Sequence, residues 1–423
     1  MMKKKTIQLG ALMVTGLITL AACSNAGSGG SSASASGAAV KSQSCGSTLT
    51  IGVVTDFTGD LGSFGKDDLN GFQLAVDQMK SSGALPTGWT IKTVVADAQG
   101  KSTTGVQLAT QMMQAQHASF IVGPSSVEIV GMVNLAARFK VPVISQFAGT
   151  ITLDTVGGKW IYRTVASDAY DGKAAAKWLY AHQTKNLVVV VGNDQSTVSV
   201  AHTTQAALQT AGASVAKQVV FTPGQSSYQS TVSEVLSAKP GYIFLAGGQA
   251  DGTTIVKELR DGGYSSPIFV SSDMVVPDVL KALGASRAKN LFGEEPLSDV
   301  QAPAYKQFAQ AYTKKFNSQP GLFSSNAFDA VMLGGLSAVA AKSTCGAAVN
   351  SKIRDVANPP GTQVSDFAAA AKILAQGGDV DYVGASGPVD LDQSGTAQGS
   401  YAVVQADKGQ WKQVQFYPSS VFN

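Results

Sequence analysis

Charge is what this sequence has least of. Only 14% of its 423 residues are Asp, Glu, Lys or Arg, against roughly 25% in ordinary soluble domains. Even the formal excess of +3 is local: Lys3, Lys4 and Lys5 stand in a leader that carries no acid, and 31 − 3 leaves 28 bases against 28 acids. A neutral body has no clustered Lys/Arg to grip a phosphate backbone, which excludes nucleic acid as a partner. Long apolar runs are missing too. Beyond residue 22 none reaches the ~18 residues that span a bilayer. Histidine occurs three times, as His117, His182 and His202, and never as H-E-x-x-H, so zinc-protease chemistry is excluded. No G-x-S-x-G nucleophile elbow is present.

Near-motifs fail for stated reasons. Gly62-Ser63-Phe64-Gly65-Lys66 is followed by Asp67, where a phosphate-binding loop needs Ser or Thr to reach Mg²⁺. Asp390-x-Asp392-x-Ser394-Gly395 starts like a calcium loop, but position twelve is Tyr401 in place of the bidentate Glu; it reads as a β-turn. The neighbours Asp67-Asp68 and Glu294-Glu295 read as solvated surface rather than proton-sharing pairs. No catalytic constellation, metal site or cofactor is expected, and the chain reads as a non-enzyme.

What is there begins with an address. Lys3-Lys4-Lys5, an apolar stretch from Ile7 to Leu20 and small residues before a cysteine are the three parts of a secretory signal, residues 1–22. The ending Leu20-Ala21-Ala22-Cys23 resembles the lipobox of bacterial lipoproteins, which implies lipidation at Cys23 and a membrane anchor on the extracytoplasmic side, either periplasmic or at the outer cell surface. From Ser24 to Ser44, 17 of 21 residues are Ser, Gly or Ala, too small and polar to bury a core. Residues 23–46 therefore read as a flexible tether with a root-mean-square reach of roughly 25 Å. Cys45 and Cys345 are the remaining thiols. Outside the cytoplasm such a pair is expected as a disulfide, with two buried thiols as the alternative.

The body alternates strand-length apolar runs with helical periodicity. Ile51–Val54, Ile91–Val95, Phe120–Val122 and Val141–Ile144 read as strands, with helices between them. The rhythm restarts after Arg163-Thr164-Val165 with strands at Leu187–Val191, Val215–Phe221, Tyr242–Leu245 and Ile268–Val270. Two βαβ series imply two parallel sheets and a cleft at the strands' carboxyl ends. After residue ~295 come helices near Tyr305–Phe316, Asn326–Ala341 and Phe367–Ala375. A closing antiparallel set is expected at Gly387–Leu391, Tyr401–Gln405 and Trp411–Gln415.

The most informative stretch is Phe120-Ile121-Val122-Gly123-Pro124-Ser125-Ser126-Val127-Glu128. A strand ends, Gly-Pro turns the chain, and Ser125-x-x-Glu128 forms a capping box. The N–H groups and hydroxyls at that helix start can receive a carboxylate, unless the Glu128 side chain occupies them. The next strand ends in Ile144-Ser145, and Phe147-Ala148-Gly149-Thr150 follows beside it.

Together, I-G-V-V-T-D-F-T-G-D-L-G-S-F-G, G-P-S-S, V-P-V-I-S, Y-R-T and the Y-x-V-V-Q…W ending resemble the type I periplasmic-binding-protein fold over residues 47–415. Within it they resemble the leucine/isoleucine/valine-binding branch of ABC-transporter substrate-binding proteins. The resemblance implies an α/β protein with two Rossmann-like lobes of parallel-sheet core joined by a three-strand hinge, divided as 47–164 with 295–385 and 165–294 with 386–423. It implies a monomer that binds an amino acid or a related small amide or carboxylate by hinge closure, without cofactor, and passes it to an ABC permease. It also implies ligand contacts from Phe64, Ser125, Ser126, Ala148, Gly149 and Thr150 in the first lobe, and from Thr197, Gln249 and Asp273 in the second. Asp273 is expected opposite an ammonium, or as a helix cap. Two positions depart from the pattern: Asn193-Asp194-Gln195 and Gln249 stand where aromatic residues are common, which moves the expected ligand from branched aliphatic toward polar or larger solutes. A sensing role beside a signalling receptor, or binding of an aromatic acid or urea, are the alternatives.

Overall fold

The computed structural model describes residues 45–59, 61–182 and 185–422; Cys23, the leader and nearly all of the expected tether lie outside them. Strands β1 (Thr48–Thr55), β2 (Thr90–Asp97), β3 (Phe120–Val122), β4 (Val143–Ser145) and β5 (Ile161–Arg163) form a first sheet in the order β2-β1-β3-β4-β5, all parallel. Strands β6 (Leu187–Gly192), β7 (Val215–Phe221), β8 (Tyr242–Ala246), β9 (Ile268–Val270) and β10 (Leu291–Leu297) build the parallel part of a second sheet. A short pair, β11 (Thr362–Val364) and β12 (Val380–Tyr382), stands apart. The second sheet is completed by β13 (Ser400–Asp407) and β14 (Gln410–Tyr417), in the order β14-β13-β10-β9-β8-β6-β7. Burial follows strand position: β6, covered on both faces, is buried throughout, whereas β7 at the edge alternates.

Each sheet has a core on both faces. On the first, Phe72, Met79, Phe328 and Leu336 of helices Gly62–Ser81 and Ser324–Ala341 pack on one side. Ala109, Met112, Ile129 and Met132 of helices Ser102–Gln114 and Ser126–Phe139 pack on the other. The second sheet is covered by Val235, Ile255, Leu259 and Leu280 on one face and by Ala175, Leu179, Val200 and Leu208 on the other. The fold is two α/β lobes, and the chain passes between them three times: after β5, after β10 and just before β13. Cys45 and Cys345 are joined by a disulfide with Cα atoms 5.2 Å apart across a separation of 300 residues.

Three local expectations are corrected. Gly387–Leu391 is not a strand. It makes only single bridges, Val383–Pro388 and Leu391–Ala397, because Pro388 has no N–H to give a ladder; Val389, Leu391 and Ala397 sink into the first lobe's core. Conversely, Gly293-Glu294-Glu295-Pro296 lies inside β10, which pairs parallel with β9 and antiparallel with β13. Finally, Asp68 and Glu294 are buried, not solvated, because Asp68 is on the inward face of the helix Gly62–Ser81, against Gln146, and Glu294 on a covered face of β10. The segment that starts like a calcium loop is a turn: Asp392 Oδ1 accepts from Ser394 Oγ at 2.7 Å and from the Thr396 N–H at 3.1 Å. Among the described residues no cluster of three His, Cys, Asp or Glu could hold a metal, and no helix is long and apolar enough to cross a membrane.

Candidate functional site

At the carboxyl end of β3, Gly123 takes φ +105, a turn open to glycine alone, and delivers Ser125 to the start of its helix. There the capping box is complete. The Ser125 N–H and Oγ both donate to Glu128 Oε2, at 2.8 and 2.5 Å, and Oγ accepts from the Val127 N–H at 3.3 Å. The helix's own carboxylate thus holds the donors that would receive a ligand carboxylate. Ser126 is turned elsewhere: its Oγ accepts the Thr150 N–H at 3.2 Å, which ties the β3 and β4 loops together. Ala148 buries its methyl in the first lobe's core, leaving only its backbone to the loop.

Thr150 meets the other lobe. Its Oγ1 accepts from Gln195 Nε2 at 2.9 Å, and the same amide reaches Thr152 Oγ1 at 3.1 Å. Next along the chain, Ser196 Oγ donates to Asp273 Oδ2 at 3.1 Å. Gly149 lies against Asp168, so close that a Cβ there would stand 1.8 Å from Asp168 Oδ1. Ser126, Thr150, Gly149 and Asp273 are therefore brought to one inter-lobe seam, linked by Gln195, Ser196 and Asp168. Thr197 is not: its Oγ1 donates to the Gly192 carbonyl at 2.8 Å and to Asp194 at 2.7 Å, closing its own turn. Gln249 opens the helix Gln249–Asp261, and its buried Nε2 has no hydrogen-bond partner. Phe64 packs with Phe147 and Phe323, ring centroids 5.1 and 5.6 Å away, and this trio from the first lobe sits on Val275 and Val276 of the second.

Acids surround the seam. In the first lobe, burial pushes the Asp68 carboxyl up to about 8, with Gln146 pulling down and Asp67 and Asp56 pushing up. Burial, then Asp56, raises Glu128 to about 7. In the second lobe, burial and Asp171 lift Asp168 well above the usual carboxylate range. The Asp171 and Glu294 carboxyls face each other, and burial raises both, Asp171 to about 6.

A family profile described as periplasmic binding protein matches residues 48–410. The chain belongs to that family. A Leu/Ile/Val-binding protein, BraC3 of Rhizobium johnstonii, is 24% identical over 286 residues, 67% of this chain and 77% of that one. The crystal structure of a leucine-binding protein LivK from Thermotoga maritima superposes with a TM-score of 0.75 at 21% identity, covering 88% of this chain and 99% of that one. A solute-binding protein of an R. palustris ABC transporter, in complex with benzoate, gives 0.71 at 17%, covering 88% and 97%. At these identities the structures speak for fold alone. This periplasmic binding protein is thus related to the Leu/Ile/Val-binding solute-binding proteins of ABC importers, a non-catalytic group whose members work outside the cytoplasm with a small-molecule ligand and a permease.

Sequence reasoning missed the hub of the site. Arg163, fully buried, donates to the Gly149 and Thr150 carbonyls at 2.9 and 3.1 Å and to Thr396 Oγ1 at 2.9 Å, and pairs with Asp154. It pins the Ala148–Thr150 loop to a crossing segment. Its signals were its place in the Y-R-T motif and at the end of β5, just before the chain leaves the first lobe.

Proposed function

We propose that this periplasmic binding protein is the receptor of an ABC importer, tethered through a lipid on Cys23, that closes its two lobes on an amino acid or a related small amide or carboxylate. One observation carries the reading: polar groups from both lobes, Thr150 and Ser126 against Gln195, Ser196 and Asp273, converge where the parallel strands end. Closure then works by differential affinity, since a solute that bridges both lobes favours the state in which they touch. The bodies that move are 47–164 with 298–385, and 165–297 with the C-terminal strands, the division falling after Leu297 and not at 295 because Glu295, Pro296 and Leu297 pair with β13 in the second sheet; 386–399 travels with the first lobe, where its apolar residues pack. The protein acts as a monomer.

Phe64, Ser126, Gly149, Thr150, Gln249 and Asp273 are the contacts we assign to the ligand. Ser125 acts mainly as the helix cap, while Ala148 and Thr197 shape the loops. A second reading, an aromatic acid, is favoured by the Phe64–Phe147–Phe323 trio and by the benzoate-bound relative. A thermal-shift screen with the twenty amino acids, simple amides, urea and aromatic acids tests both. A ligand at 100 times its Kd adds about 2.7 kcal/mol. A flat response across the whole screen contradicts the proposal. Thr150→Ala and Asp273→Asn should weaken the hit without unfolding the protein.

A further inference from the structure

A cavity of about 850 Å³ lies between the lobes, next to the seam, a size within the range of small-molecule sites. It starts at Phe64 and runs past Val275, two residues beyond Asp273, along the crossing segment that leaves β10. Its chemistry is one-sided. Asp67, Asp278 and Glu295 supply carboxylates, Phe64, Phe323 and Trp411 supply aromatic surface, and no Lys, Arg or His is among the described lining residues. Glu295 alternates along β10 with Glu294, so the two carboxyls leave opposite faces of the strand. Glu294 turns to Asp171; Glu295 lines the cavity, and among the described residues its carboxyl has neither hydrogen bond nor ion pair. Trp411 is held by its indole N–H, which donates to the Val276 carbonyl at 3.1 Å.

The neighbouring seam repeats the sign. Asp168 is 7% exposed, its Oδ2 has no hydrogen-bond partner, and its nearby charged groups include the like-charged Asp171 and Asp273. Arg163, the base beside it, is committed to Asp154, Thr396 and three carbonyls. Meanwhile Glu128 fills the helix-start donors that would take an anion. Half-buried carboxylates without a counter-charge are costly, and aromatic rings beside them attract cations through their faces.

We propose that this cavity takes an organic ammonium ion with an apolar body, its charge held by Glu295, with Asp67 and Asp278 alongside, and its body laid against Phe64, Phe323 and Trp411. This rests on the solute-receptor reading above but replaces its ligand class: the solute is a cation, such as an amine or an amino-acid derivative with a masked carboxylate, and not the zwitterion or acid named there.

A charge series on one skeleton tests it. Phenethylammonium, phenylalanine, phenylacetate and phenylacetamide are titrated calorimetrically into the wild-type protein and into Glu295→Gln and Trp411→Leu. The expected result is tightest binding of phenethylammonium, at least tenfold above each of the others, and at least tenfold loss in each variant with unfolding curves unchanged. If a variant fails to fold, the wild-type ranking still decides. Preference for phenylalanine or phenylacetate overturns the cation while leaving a solute receptor. No binding in this series, with a hit elsewhere in the thermal-shift screen, also overturns it alone. Silence in both overturns the inference and the receptor reading together.

Discussion

The side-chain amide of Gln195 donates to the hydroxyl of Thr150 at 2.9 Å, so an exposed residue at the start of a second-lobe helix holds the loop that follows β4 in the first. The Ile151 N–H donates to Ser199 Oγ of the same helix at 3.0 Å, so the contact is a short edge rather than a point. Gln195→Ala removes that bond and the amide's second one, to Thr152 Oγ1 at 3.1 Å; both are partly solvated and at the low end of the range for such bonds, together about 1 kcal/mol. Because those bonds exist only when the lobes touch, the loss appears in binding: about a threefold to tenfold higher Kd for the screened ligand, with no change in the thermal midpoint of the free protein. Titration of wild type and variant side by side is the check.

Free of ligand, the protein should be more stable in mild acid than in mild base. Asp68 rises from 3.8 to about 8 and Glu128 from 4.5 to about 7, chiefly by burial. A carboxyl raised on folding binds more protons in the native state than in the unfolded chain. Its contribution is complete below the unfolded value and is lost as pH rises through the folded one, a window from about 4 to 8 here. Urea midpoints should therefore fall between pH 5 and pH 8, and Asp68→Asn should flatten that fall. A midpoint that climbs with pH would contradict this assignment.

Local patterns were legible and distant ones were not. The run Leu187–Val191 announced a strand covered on both faces, and Ser125-x-x-Glu128 announced its capping box, because each is written within one element. β10 was hidden because Glu294-Glu295-Pro296 looks like a surface turn; Glu294 is buried because β10 lies between β9 and β13 and because it faces Asp171, all on other elements. The pairings of Gln195 with Thr150, of Gly149 with Asp168 and of Arg163 with Thr396 join residues 45, 19 and 233 positions apart. The first two depend on how the lobes are set against each other and the third on where the segment before β13 runs beside β5, none of which a short window of residues records.

The disulfide stabilises the body without touching the seam. Cys45 precedes β1 and Cys345 follows the helix Ser324–Ala341, so the bridge fastens the start of the chain to the first lobe. Cys345→Ala with Cys45→Ala should cost about 2–4 kcal/mol, through a denatured state relieved of a long loop constraint. Ligand affinity should stay within twofold. Urea unfolding and titration of the double variant separate the two effects.

If the two lobes close on a solute, the distance between them must shorten when it binds. Nitroxide labels at Val156→Cys and Val198→Cys, exposed positions on the two sides of the seam (42% and 46%), report that distance by pulsed electron–electron resonance. A longer, broader distribution in the free protein should shorten and narrow once the ligand found by screening saturates it. One unchanged distribution, with and without saturating ligand, would contradict closure.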